Sequence, residues 1–151
     1  MSDSKRILVA FDGSPQAQKA FDFALEVFKE CQGVTREITV LSVVHLVEQI
    51  DVPMDIEPIV NAAKAQYEVL LTGLQEKAKS RGLDIAAEIV IGHPSEDIIE
   101  YAAKNKIDLI IMATHGRTGL AHVILGSVAE RVVQHSPVPV VMVRPAQMVK
   151  S

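Results

Sequence analysis

The sequence predicts an α/β protein built on one open, five-stranded parallel sheet with helices on both faces. Short apolar runs rich in Val and Ile alternate with longer segments in which apolar residues recur at helical spacing. The chain is 48% hydrophobic but only 4% aromatic, so Val, Ile, Leu and Ala must build its core, as is typical of parallel strands between helices. The length of 151 residues indicates a single domain over residues 1–151, with a short polar tail at residues 146–151.

The first half of the chain predicts two strands and two helices. In chain order these are a strand at residues 6–11, a helix from Ser14 to Phe28, a strand at residues 38–44 and a helix from Ile56 to Arg81. Ser14 is a favourable helix N-cap, and Pro15 suits the first turn of a helix. The second helix carries one long apolar stripe, and Gly82 follows it as an expected stop signal.

The second half continues the same alternation. It predicts a strand at residues 85–91, a helix that starts at His93-Pro94, a strand at residues 107–113, a helix at about residues 126–135 and a strand at residues 138–143. The full order is therefore βαβαβαβαβ. Such an order predicts parallel strands that are joined by right-handed crossovers.

The fifth strand predicts a contact between two copies of the chain. Pro139 belongs at a sheet edge or at the first residue of a strand, because proline has no N–H to donate. Val138, Val140, Val141 and Val143 would make that edge apolar and prone to aggregation unless another chain covers it. We therefore expect a homodimer through residues 138–143. The alternative is that the protein's own helices bury the faces of this strand.

Composition narrows the classes of function and location. The net charge is -4, and the basic residues are scattered, which argues against a nucleic-acid partner. No signal-peptide pattern and no apolar run of about 18 residues occurs, so we expect a cytoplasmic protein with no membrane insertion. Cys31 is the single cysteine and is expected to be reduced. The five histidines have no metal-ligand spacing, so no metal site is expected.

The stretch ATHGRTGLAHVILGS at residues 113–127 is rich in glycine and follows the fourth strand. Backbone N–H groups near Gly116 and at the helix start formed by Gly126 and Ser127 can hold an anion, and Arg117 can add positive charge. The stretch has neither the Walker A pattern nor the dinucleotide-binding G-x-G-x-x-G pattern. It therefore predicts a different kind of phosphate loop, with a plain structural turn as the alternative.

These residues closely resemble the nucleotide-binding branch of the universal stress protein family. The resemblance extends from KRILVAFDGS through ITVLSVV, the GHP turn and DLIIMATHGRTG to SPVPVVMVRP. The family loop reads G-x-x-G, nine residues, then G-[ST], which Gly116 and Gly126-Ser127 match. The first glycine of the family pattern falls on Ala113. An alanine is accommodated at this position if its φ is negative but would be strained if its φ were positive.

The resemblance implies a Rossmann-like sheet of the adenine nucleotide α-hydrolase type, ordered 3-2-1-4-5. ATP, with or without magnesium, would lie between the tips of the first and fourth strands. The implied binding residues are Ala10, Asp12, Val43, Met112, Ala113, Gly116, Arg117, Gly126, Ser127 and Val128. Asp12 would lie near the ribose and phosphates, and Ala10 and Val43 near the adenine. The alternatives are that Asp12 only caps a helix and that the two apolar residues only pack.

We therefore expect an ATP-binding regulatory protein whose nucleotide state a protein partner reads. Hydrolysis would be slow at most, because no residue is an evident base and none is assigned a catalytic role. One rival is a dimeric interaction module of the same fold that uses no nucleotide. A second rival is a small ATP-using enzyme whose turnover would depend on Asp12 or His115.

Overall fold

The computed structural model describes residues 5–29, 36–45, 55–114 and 125–144. Within these ranges the chain forms strands and helices in the predicted alternating order. They are β1 (Lys5–Ala10), α1 (Pro15–Lys29), β2 (Arg36–His45), α2 (Glu57–Ser80), β3 (Ile85–Gly92), α3 (Pro94–Lys104), β4 (Leu109–Ala113), α4 (Ser127–His135) and β5 (Val140–Val143). None of the helices in the described ranges has the length and hydropathy required to cross a bilayer.

The strands form one parallel sheet in the order β3-β2-β1-β4-β5, which confirms the predicted fold class and strand order. β1 lies at the centre, with Ile7 opposite both Ile38 of β2 and Leu109 of β4. The chain leaves β1 toward β2 and returns later to β4 on the other side. The strand order therefore reverses between β1 and β4, and in such sheets a crevice opens beyond the carboxyl ends of these strands.

Two hydrophobic clusters cover the two faces of the sheet. Alternate residues of β1 belong to different clusters: Ile7 and Val9 pack with residues of α1 and α2, whereas Leu8 and Ala10 pack with residues of α3 and α4. Side chains of a strand point alternately to opposite faces, and here both faces are covered by helices. This arrangement explains why the central strands read as continuous apolar runs.

Two strands begin later than the sequence predicts. The fourth strand begins at Leu109 rather than at residue 107, because Ile107 takes part in the turn that follows α3, where its N–H bonds the carbonyl of Ala102 at 3.1 Å. The fifth strand begins at Val140 rather than at residue 138, because the N–H of Val138 bonds Oγ of Ser136 at 3.1 Å in a local turn. Pro139 therefore precedes the strand.

Helix α2 is only partly covered by the sheet. Its C-terminal half buries Leu71, Leu74 and Ala78. The apolar stripe continues toward the N-terminus, but Ile59 there is exposed. A helix of 24 residues is about 36 Å long, which exceeds the length of the strands beneath it. The N-terminal turns of α2 therefore extend past the strands that the structure describes.

Candidate functional site

A cavity of about 420 Å³ lies at the carboxyl ends of β1, β2 and β4. The first turns of α3 and α4 form its other walls. Part of its lining is apolar and comes from Ala10, Leu41, Val43, Ile98, Met112 and Val128. The polar side chains of the lining, within the part of the chain that the structure describes, belong to Asp12, His45, Thr114 and Ser127. The cavity thus joins an apolar slot to a polar rim.

The cavity brings together every predicted binding residue that falls in the described ranges. These are Ala10, Asp12, Val43, Met112, Ala113, Gly126, Ser127 and Val128. Gly116 and Arg117 lie outside the described residues. The convergence follows from the reversal of strand order, because β1, β4 and the start of α4 meet at that point.

The turn between β1 and α1 holds Asp12 at the rim. Oδ1 of Asp12 accepts a hydrogen bond from the N–H of Ser14 at 2.9 Å. Gly13 between them has a φ of 83°, a conformation that favours glycine. Oγ of Ser14 accepts from the N–H of Ala17 at 3.0 Å, which confirms the predicted helix cap. Asp12 therefore takes part in the turn and also lines the cavity.

Buried hydrogen bonds fix the segment that carries Asp12. The N–H of Phe11 continues the ladder by bonding the carbonyl of Leu41 at 3.0 Å. The hydroxyl of Ser42, which is fully buried, donates to the carbonyl of Phe11 at 2.7 Å. These bonds couple the end of β1 to β2 on one wall of the cavity.

The start of α4 presents backbone donors to the opposite side of the cavity. The N–H of Gly126 bonds the carbonyl of Thr114 at 2.9 Å, which ties the helix start to the end of β4. Gly126 is extended, with φ -63° and ψ 159°, and no side chain caps the helix. The first N–H groups of a helix lack intrahelical partners and carry partial positive charge, so this end of the cavity suits an anion.

Ala113 causes no backbone strain where the family loop has glycine. It is the last residue of β4 and pairs with Val143 in the parallel ladder. Among the non-glycine residues that the structure describes, a positive φ occurs at Lys106 alone. The alanine therefore sits in ordinary strand conformation, where a methyl group is accommodated.

Several lining residues escaped the sequence analysis, above all His45, Leu41, Thr114 and Ile98. Leu41 and His45 could have been found from alternation, because they lie two residues before and after Val43 and face the same side of β2. Ile98 comes from α3, and only the packing of that helix on β2 brings it to the cavity. The described residues hold no group of three or more His, Cys, Asp or Glu side chains arranged to bind a metal.

Comparison with known proteins gives consistent matches. The model of the universal stress protein family matches residues 3–144. The chain is 34% identical to universal stress protein MJ0531 of Methanocaldococcus jannaschii, over 93% of this chain and 82% of that protein. It is also 34% identical to YxiE of Bacillus subtilis, over 92% and 98%. The structure of UspA from Lactobacillus plantarum superposes with a TM-score of 0.81 at 28% identity, covering 93% of this chain and 97% of that chain.

Proposed function

This chain belongs to the universal stress protein family, and on that premise we propose that it is a cytoplasmic regulatory protein that binds ATP in the cavity between β1 and β4. The observation that carries the proposal is the convergence of an apolar slot, Asp12 and the uncapped start of α4 on one cavity. Its volume of about 420 Å³ falls in the range of pockets that enclose small organic ligands.

The proposed binding mode follows the polarity of the walls. The adenine lies in the apolar slot among Ala10, Val43 and Met112, where backbone groups at the strand ends can read the edge of the base. The phosphates lie at Gly126 and Ser127, where backbone N–H groups and the helix dipole favour negative charge. Asp12 faces the ribose and phosphates, and a magnesium ion between them would relieve the repulsion between the carboxylate and the phosphates.

Two proteins of the same fold support adenine nucleotides as the class of ligand to test. A universal stress protein family protein from Arabidopsis thaliana was determined with AMP bound, and it matches this chain with a TM-score of 0.70 at 23% identity. A universal stress protein in complex with cAMP matches with a TM-score of 0.68 at 24% identity. These likenesses concern the fold, and the proposal for this chain rests on its own cavity.

Calorimetric titration of nucleotide-free protein tests the proposal. ATP, ADP, AMP and GTP are added separately, each with and without magnesium. We expect ATP to saturate at about one nucleotide per chain and GTP to bind more weakly, because the slot is shaped by small apolar residues around one base. A folded protein that binds none of the four would contradict the proposal and favour the nucleotide-free interaction module.

A matched pair of glycine variants locates the site. Gly126→Val places a branched side chain where the phosphates are proposed to lie, and the negative φ of Gly126 lets valine adopt the same backbone. Gly73→Val is the control. Gly73 lies in α2, and the space that a β-carbon would occupy there is open. We expect the first variant to lose ATP binding while folded and the second to retain it. Equal affinities in the two variants would move the site away from α4.

Hydrolysis is expected to be slow at most. Phosphoryl transfer needs a positioned water and charge stabilisation at the γ-phosphate. Asp12 is the one carboxylate among the described lining residues, and its Oδ1 already accepts from Ser14. Steady-state turnover that disappears in Asp12→Ala or His115→Ala would instead indicate the rival ATP-using enzyme.

The proposed assembly is a homodimer through the edge of β5. Among the strands that the structure describes, β5 has no neighbour beyond it, and its residues Val140–Val143 are half-buried. Phe23 and Val27 of α1 are each 37% exposed. They belong to the helix that packs against β4 and β5, the strands on the edge side of the sheet. A second copy would cover both the strand edge and these side chains.

A further inference from the structure

Two imidazole rings meet at the rim of the cavity. His45, the last residue of β2, lines the cavity, and His93 precedes α3 as its N-cap. Their ring centroids are 6.0 Å apart, with the ring planes at 70°. The two residues are far apart in the sequence, but His45 pairs with Gly92 in the parallel ladder, and His93 is the next residue. The register of β2 on β3 therefore creates the pair.

The backbone beneath His93 is firmly held. Its N–H donates to Oδ2 of Asp97 at 2.8 Å, and its carbonyl accepts from the N–H of Asp97 at 2.9 Å. Gly92 leaves room for this carboxylate, because a β-carbon at residue 92 would collide with Oδ2 of Asp97. His93 thus belongs to a turn that is held by the carboxylate and the N–H of Asp97. His45 is the last residue of a strand that is paired with β3.

We propose that His45 and His93 together bind one divalent cation of borderline softness, of the class of Zn²⁺. Zinc lies about 2.0–2.1 Å from an imidazole nitrogen, so two rings that share a tetrahedral ion have centroids roughly 5 Å apart. The observed separation of 6.0 Å is close to this value. The side chain of His45 is exposed, so a change in its χ1 angle has room to bring the two centroids closer.

The two imidazoles also determine which class of metal ion fits the site and how many coordination positions around the ion stay open. Neutral imidazole suits zinc, copper and nickel, whereas magnesium and calcium prefer oxygen ligands. In the part of the chain that the structure describes, no third His, Cys, Asp or Glu completes a cluster. The remaining two positions of a tetrahedral ion would therefore be filled by water or by a donor from a ligand in the cavity.

A metal titration of the nucleotide-free full chain tests this site separately from the nucleotide proposal. Protein is treated with a chelator, dialysed and titrated with Zn²⁺ by calorimetry. The variants are His45→Gln and His93→Gln. The control is His135→Gln, because His135 is an exposed histidine at the end of α4. Circular dichroism establishes that each variant is folded.

We expect about one Zn²⁺ per wild-type chain, and we expect each of the two variants to weaken binding about tenfold or more, because each removes one of two protein ligands. The His135→Gln variant should bind as the wild type does. Three results would overturn the proposal: no binding to the folded wild type, unchanged affinity in both variants, or a loss confined to one of them. The last result would mean that the two rings do not share an ion.

Discussion

The hydroxyl of Tyr67 in α2 donates a hydrogen bond to the backbone carbonyl of Asp12, with 3.3 Å between the two oxygens. Asp12 belongs to the turn after β1 and lines the cavity. This bond joins α2, the most exposed helix described, to the segment that forms one wall of the candidate site.

Replacing this tyrosine tests the coupling between α2 and the cavity. Tyr67→Phe removes the hydroxyl and keeps the ring, so we expect the free energy of unfolding to fall by about 1 kcal/mol. We also expect ATP affinity to fall a few-fold, because the turn that carries Asp12 becomes less well held. Urea unfolding and calorimetry measure the two effects.

Thr72→Ala is the control for that variant. It removes another hydroxyl from α2, one whose bond to the carbonyl of Glu68 at 2.8 Å is exposed. Its effect on unfolding should stay within about 0.5 kcal/mol, and ATP affinity should not change. If Tyr67→Phe behaves no differently from this control, the bond to Asp12 contributes neither stability nor order at the site.

The buried hydroxyl of Ser42 provides a second prediction. Ser42→Ala leaves the carbonyl of Phe11 without its side-chain donor in a place that water does not reach. We expect the free energy of unfolding to fall by about 1–3 kcal/mol. Ser80→Ala also removes a hydroxyl bonded to a carbonyl, that of Lys77, but on the surface, and it should cost less than about 0.5 kcal/mol. Similar costs for the two variants would show that burial at Ser42 has no energetic weight.

The dimer proposal makes a third prediction. Val27→Glu places a charge on the exposed flank of α1, the helix that packs against β5, and burying that charge in a contact between two copies is costly. We expect sedimentation velocity to show dimers for the wild type and monomers for this variant. Val69→Glu is the control, because Val69 is 73% exposed but lies on α2. A monomeric wild type, or dimers that persist in Val27→Glu, would exclude a contact built on this flank.

Tyr101 leads to a prediction about alkaline pH. Burial, followed by a hydrogen bond to Glu88, raises the pKa of Tyr101 from 10.0 to about 12. The protonated phenol is therefore favoured in the folded state. Its contribution to stability is complete below about pH 10 and is lost as the pH rises toward 12, because the unfolded chain releases its proton first. Stability should thus fall across this window.

Comparison with Tyr101→Phe isolates that effect from other groups that titrate at alkaline pH. Urea unfolding is measured for both proteins at several pH values between 9 and about 12. The wild type should lose more of its unfolding free energy across the window than the variant does. Parallel losses in the two proteins would mean that the phenol has the same pKa in the folded and unfolded chains.

Much of the candidate site could be predicted from the sequence, for identifiable reasons. Asp12 lies between an apolar run and Gly13, and Gly126 directly precedes a helix. Both kinds of junction can be recognised from the local sequence. His45 and Ile98 carry no such signature. Each lines the cavity because its strand or helix packs in a particular place, and their positions depend on partners distant in the chain.

The start of β5 and the burial of α2 also combine features that the sequence predicts with features that only packing decides. Pro139 indicated the edge strand, but the turn at Ser136 that delays its start depends on two hydrogen bonds between the Ser136 hydroxyl and the backbone of Val138. The long stripe of α2 was visible as helical periodicity, whereas the exposure of Ile59 follows from where the sheet ends. Periodicity identifies which residues share a face, and it does not say whether anything covers that face.

By itself, the sequence determined the alternation of strands and helices, because hydrophobic periodicity, helix caps and glycine stops act over a few residues. The tertiary structure alone decided that His45 and Ile98 join the cavity, how His45 comes to lie against His93, and which part of α2 stays uncovered. These outcomes depend on the register of parallel strands that are joined by long crossovers. The apolar pattern of a strand specifies which of its residues face the core, but its alignment with a strand distant in the chain is fixed only when the sheet packs as a whole.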